Sequence, residues 1–233
     1  MITKRTKARD ISKVDQFQEY AWSIIRLVTE QRTKVFLVLG IILAAGVIAG
    51  GLSYYNSTYE ASADTVYATA MVSETDIHKA SDEREVNTKA IDRYTALINK
   101  YPRSEAATVA LYHLGNLYFK TNDIDKSIQS YEEFLSKNHK NELLKQMTLY
   151  SLGYCYEVKG DFEKSLETFT SFDSQIAQGA FKSLSYLNIA RVNERLGKTA
   201  KAREYYSKAL ENMADPGMAA VAKYKLSTLI EKG

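Results

Sequence analysis

ALYHLGNLYFKTND, residues 110–123, followed by SIQSYEEFLSKNH, residues 127–139, is the stretch on which the fold turns. In its first half Leu111, Leu114, Gly115 and Tyr118 fall three and four residues apart, the spacing of one helix face. Asn122 then offers a residue that tolerates left-handed backbone, where a helix can stop and turn. The second half opens on the small Ser127 and places Tyr131 four residues later, on the same helix face. A small residue lets a neighbouring helix approach, and a ring one turn on fills the groove beside it. The stretch therefore reads as helix, tight turn, helix.

The unit recurs. AIDRYTALINKYP starts at Ala90, SLETFTSFDSQIA at Ser165 and AREYYSKALENMA at Ala202, each a small residue followed at the fourth place by Tyr94, Phe169 or Tyr206. First-helix partners stand before the last two: TLYSLGYCYEVKGD from Thr148 and SYLNIARVNERLGK from Ser185. Leu152–Gly153 and Ile189–Ala190 repeat the large-then-small pair of Leu114–Gly115, and Gly160 and Gly197 stand where Asn122 stands. Self-similarity at this period is the signature of a stacked helical array. The residues resemble the tetratricopeptide repeat, with departures: Asn193 occupies a tyrosine position, the period exceeds the usual one, and only the first segment keeps a closing proline, Pro102. The expected fold class is all-α, a tetratricopeptide-type helical solenoid preceded by one N-terminal transmembrane helix. Ser57 to about Lys79 is expected to form the opening helix, Ser81–Val86 a loop, and Pro216–Gly217 a turn into a capping helix built on AKYKLSTLIEKG from Ala222.

Val35 to Leu52 reads VFLVLGIILAAGVIAGGL, without a charge, and spans roughly 27 Å as a helix, close to the hydrocarbon thickness of a bilayer. Tyr54 and Tyr55 follow, where interfacial aromatics sit. Residues 1–34 carry eight Lys and Arg against four Asp and Glu, whereas residues 53–78 carry no Lys or Arg. The basic side stays in the cytoplasm, so the C-terminal bulk is expected outside it. The organisation expected is a basic cytoplasmic tail at 1–34, a transmembrane helix at 35–55 and a periplasmic repeat domain at 56–233. Within the span Gly46 and Gly50 form a small-residue pair on which another helix could pack. In the tail, Phe17, Tyr20, Ala21, Ile24 and Val28 recur at helical spacing, an amphipathic pattern suited to a membrane surface.

Net charge is +3 over 233 residues, and the part after residue 34 is close to neutral, which excludes a nucleic-acid footprint there. A single cysteine, Cys155, forbids an internal disulfide and reads as a small buried residue. His78, His113 and His139 share no ligand spacing, so no metal site is expected; with no Gly-rich phosphate loop, no His–carboxylate–nucleophile set and no paired acids, no enzyme, cofactor or small-molecule substrate is expected either. By repeat position, the concave face should carry Tyr112, Asn116, Phe119, Tyr150, Tyr154, Glu157, Leu187, Arg191 and Glu194, and should bind protein segments. The whole layout of tail, span, SYYNSTYEASA exit, repeat stack and cap resembles the YfgM family. That resemblance implies a bacterial inner-membrane protein ancillary to the Sec translocon, working with periplasmic chaperones. The stretch 101–119 also resembles repeats of envelope assembly factors, which leaves a scaffold of an envelope complex as the alternative.

Overall fold

The computed structural model describes residues 8–71, 83–138, 140–176, 180–211 and 213–231. Among them run ten α-helices: α1 Ala8–Glu30, α2 Arg32–Ala70, α3 Glu83–Lys100, α4 Glu105–Lys120, α5 Ile124–Lys137, α6 Glu142–Lys159, α7 Phe162–Ser174, α8 Ala180–Arg195, α9 Thr199–Glu211 and α10 Pro216–Glu231. The chain divides into two compact units, Met1–Thr58 and Tyr59–Gly233.

The first unit holds α1 and the apolar part of α2. On α1 the side chains of Tyr20, Trp22, Ile24, Ile25, Leu27 and Val28 are all exposed, and Arg26 pairs with Glu30 one turn on at 2.8 Å. In α2 an 18-residue stretch reaches a mean hydropathy of 2.7 with none of it buried, so this helix is long and apolar enough to cross a membrane. A methyl group added at Gly46 or Gly50 would meet nothing within 4 Å, so that face is open in the single chain. The expected 35–55 span and the expected opening helix from Ser57 are one unbroken element. No proline lies between Arg32 and Ala70 to stop it. It ends at Ala70 rather than near Lys79, and Met71 is a bend; 72–79 lie outside the described residues. Glu83–Val86, expected in a loop, already belongs to α3.

In the second unit each helix from α3 onward packs on its neighbour in sequence, and α4 also touches α6. The small-then-aromatic pairs are what lock them. A methyl group at Gly153 would lie 2.6 Å from Cε1 of Phe169, and one at Gly115 would run into the ring of Tyr131, so both glycines are required by close approach. The small residue that opens each second helix adds a hydrogen bond. Ser127 Oγ donates to the carbonyl of Gly115 at 2.8 Å and Ser165 Oγ to that of Gly153 at 2.9 Å. In the third copy Ala190, Ala202 and Tyr206 meet in one buried cluster, and in the first segment Ala90 and Tyr94 pack with Ala63, Ala70, Ala106 and Ala110. Tyr131, Phe134, Phe169 and Tyr206 are at most 1% exposed, and burying such a ring contributes about 1.5–3 kcal/mol.

The turns are made by the residues the spacing picked out. Asn122, Gly160 and Gly197 have φ of 63°, 84° and 71°, the left-handed region. Behind each, a backbone N–H reaches back across the last turn: Asp123 to Tyr118, Asp161 to Tyr156 and Lys198 to Asn193, at 2.8–2.9 Å. Asp123 and Asp161 then cap the following helices, accepting from the N–H groups of Lys126 and Lys164. Pro216 and Gly217, expected as a turn, are instead the first two residues of α10. Asp215 caps that helix, its Oδ1 accepting from Met218 N–H at 2.7 Å, and proline fits the first helical place because no N–H is needed there.

Candidate functional site: the inner face of the first helices

A groove of about 580 Å³ opens on the second unit, within the range of ligand and peptide pockets. α4 supplies Asn116 and Phe119, and α6 supplies Tyr150 and Tyr154; all four were expected there from repeat position. Second helices and the end of α2 supply the rest of the wall, chiefly Met71, Asn87, Tyr94 and Tyr131, with His113, Leu117, Lys120 and Ser151 from the first helices. Lys120 is the one charged side chain among these lining residues.

Hydrogen bonds and ring contacts fix the aromatic walls. Tyr131 donates to Asn116 Oδ1 at 2.6 Å. Tyr150 donates to the hydroxyl of Tyr154 at 3.3 Å with the rings edge to face at 5.0 Å, and Tyr154 donates to Asn188 Oδ1 at 2.8 Å. On the opposite side His113 stacks on Tyr94, centroids 5.3 Å apart and planes within 7°, and its Nε2 shares a 2.8 Å hydrogen bond with the hydroxyl of Tyr67. Burial pushes the Tyr94 hydroxyl up to about 12 and holds the His113 imidazole below its usual range. Burial likewise raises Tyr131 and Tyr150, so near neutral pH the groove presents uncharged rings.

The remaining expected residues lie elsewhere. Tyr112 is 9% exposed and packs on Tyr131 and Phe134, and Leu187 is buried in the cluster around Tyr206; neither presents surface to a partner. Glu157, Arg191 and Glu194 do lie on the inner helices, but they bond to the fold itself. Arg191 forks onto Glu157, Nε to Oε1 at 2.8 Å and Nη2 to Oε2 at 2.7 Å, and its guanidinium sits 4.9 Å above the Tyr154 ring. Glu194 accepts from Tyr206 at 2.8 Å and from Lys225 at 3.0 Å. These contacts tie α6 to α8 and α8 to α10 across successive repeats. Sequence reasoning missed Met71, Asn87 and His113. Repeat position marks Tyr94 only for packing, and His113 has no metal-ligand spacing to single it out.

A second cavity, about 640 Å³, is lined by Glu60, Asp64, Arg103, Glu105, Lys137 and Lys140 among others. Its charges are of both signs and partly satisfied internally: Glu60 accepts from the backbone of Glu105 at 3.0 Å, and Lys140 lies 3.7 Å from Glu105. Cys155 is buried, 3.3 Å from Ser127 Oγ, and burial pushes its thiol up.

Comparison with known proteins agrees with the repeat fold. The sequence profile of the tetratricopeptide repeat matches residues 109–136 and 184–212. No curated protein matches the chain. Among solved structures, a Podospora anserina kinesin-light-chain-like protein with nearly identical TPR-like repeats is 10% identical, with a TM-score of 0.53 over 64% of this chain and 80% of that one. MamA is 16% identical, with a TM-score of 0.50 over 70% of this chain and 95% of that one. PcrH from Pseudomonas aeruginosa is 19% identical, covers 55% of this chain and 94% of its own, and scores 0.47. The middle copy, with Gly153 against Phe169, falls outside the profile match yet repeats the contact of Gly115 against Tyr131. The chain therefore carries tetratricopeptide repeats in an all-α solenoid of that type, a fold that serves protein–protein interaction.

Proposed function

We propose that this chain is a non-enzymatic, membrane-held binding module whose groove between α4 and α6 takes segments of other polypeptides. The observation that carries the reading is the groove itself: tyrosines held by internal hydrogen bonds beside the part-exposed Phe119, with one charged side chain among the lining residues. Such rings offer large contact area with few rotatable bonds, so they hold varied sequences at a small ordering cost. The apolar stretch of α2 would cross a bacterial inner membrane, with the basic tail in the cytoplasm and the repeats in the periplasm. The finer identity follows the resemblance to the YfgM family: an ancillary factor of the Sec translocon that passes emerging chains to periplasmic chaperones.

One feature of the inner face favours a second reading, a fixed scaffold in an envelope complex. The Arg191–Glu157 fork and the Glu194–Lys225 pair hold half of that face in one arrangement, which suits a committed partner better than exchanging clients. A photo-reactive residue at Phe119, 40% exposed on the groove, separates the two in intact membranes. Capture of many secretory chains together with Sec components supports the translocon reading. Capture of one subunit at constant stoichiometry supports the scaffold. No polypeptide captured from position 119, with strong capture from an outer position such as Glu163, would refute groove binding.

A further inference from the structure

In the three complete helix pairs a first helix receives its own second helix over one face. That face carries Tyr112, Tyr150 or Leu187 and, three residues later, the small Gly115, Gly153 or Ala190 on which the second-helix ring rests. α10 has the same first-helix pattern, with Tyr224 at the first of these places and Ser227 at the second. Its opposite face is packed through Ala222, Leu226 and Leu229. Among the described residues nothing rests on the Tyr224 face. Tyr224 is 67% exposed, where Tyr112 and Leu187 are 9% exposed, and Val221 and Ile230 are 55% and 57% exposed.

The same face also carries the complementary half of the contact. Second helix α9 packs by Ala202, Tyr206 and Ala209, small–aromatic–small at spacings of four and three. α10 presents Ala220, Tyr224 and Ser227 at those spacings, outward. One surface thus holds both the ring and the small residue that accepts a ring, which is the requirement for an isologous contact.

We propose that α10 is a self-association surface, where two copies of the chain pack this helix antiparallel and extend the helix stack across a two-fold axis. Tyr224 of one protomer lies over the partner's Ser227, as Tyr206 packs with Ala190 in the third copy, and Val221 meets the partner's Ile230. The register sets Lys223 opposite the partner's Thr228 rather than opposite its own copy, and Lys225 is already neutralised by Glu194, so no like charges are forced together.

The test uses the full chain in native membranes with Ser227→Cys and a short bis-maleimide; the native Cys155 is buried and gives little background. A covalent homodimer is expected from Ser227→Cys. It should be largely lost when Tyr224→Lys is added, and absent from Glu211→Cys, which is exposed on α9. Helicity should be unchanged in each variant, because all three side chains lie at the surface. A dimer of equal yield from Glu211→Cys, a dimer that survives Tyr224→Lys, or crosslinking of a maleimide-reactive Ser227→Cys only to some other protein would each overturn the proposal.

Discussion

Among the described glycines, Gly153 and Gly115 are where one added carbon meets the closest neighbours, because the ring of a second helix occupies the place of a side chain. Gly153→Val should destabilise the purified protein by about 1–3 kcal/mol through overpacking, read from chemical denaturation. Ser165→Ala should cost on the order of 1 kcal/mol by removing the bond to the Gly153 carbonyl. Ala202 occupies the equivalent place in the third copy with no such bond, so Ala202→Gly has no hydrogen bond to lose. His113 gives a pH-dependent prediction. Burial holds its folded pKa below the ordinary imidazole value of about 6.5, so the unfolded chain takes up the proton first as pH falls. Stability contributed by the neutral, Tyr94-stacked ring is complete above that value and declines as pH drops from it toward the folded pKa. The His113→Phe variant should lose that part of the pH dependence in denaturation profiles; an unchanged profile would remove His113 as its source. The small–aromatic pairs were legible in the sequence because both partners recur at fixed spacing. The difference between Tyr112 and Tyr150 was not legible, since both occupy the same repeat position. It depends on the residue one turn later. Tyr154 holds Tyr150 toward the groove, whereas Asn116 is taken by Tyr131 and Tyr112 packs inward.

Helix ends were readable for a physical reason: each needs a residue that can turn left-handed and one that can cap. Gly160→Ala should cost about 1–2 kcal/mol, since an L side chain in that region meets the following carbonyl. Asn122→Gly at the matching turn should be neutral or stabilising, because glycine enters the same conformation without that contact. Measuring both by thermal unfolding checks the assignment; a loss at Asn122 larger than at Gly160 would contradict it. Asp161→Ala should cost about 1 kcal/mol by exposing the first turn of α7. The boundary inside α2 could not be read in this way. Composition changes sharply from VIAGGL to SYYNSTYE, and that change invites a break at residue 55. Backbone hydrogen bonding does not follow side-chain polarity, and with no proline to remove a donor the helix continues to Ala70. Glu83–Val86 misled in the opposite direction: a polar run reads as loop, yet Glu83 and Glu85 are acidic residues in a first helical turn, where the helix dipole favours them.

Over the whole molecule, charge is distributed so that a membrane would orient it. Residues 1–34 sum to +4, and residues 53–78 on the other side of the apolar stretch contain no Lys or Arg. Basic residues next to a span resist translocation, and short flanks near the helix ends count most. Reversing the bias should therefore disturb orientation more than any change in the repeats. A reporter active only outside the cytoplasm should give signal when fused at Gly233 and none when fused at Glu30. Replacing Arg32 and Lys34 by Gln while adding two lysines at Ser53 and Asn56 should shift part of the population to the opposite orientation, since these four positions flank the apolar stretch directly. The repeat domain should keep its helicity in either orientation, because its core of Tyr131, Phe169 and Tyr206 is closed within residues 59–233. Signal at Glu30 in the unaltered chain, or signal at neither site, would remove the periplasmic assignment, and with it the Sec and chaperone partners. It would leave the groove between α4 and α6 intact as a protein-binding surface facing the cytoplasm.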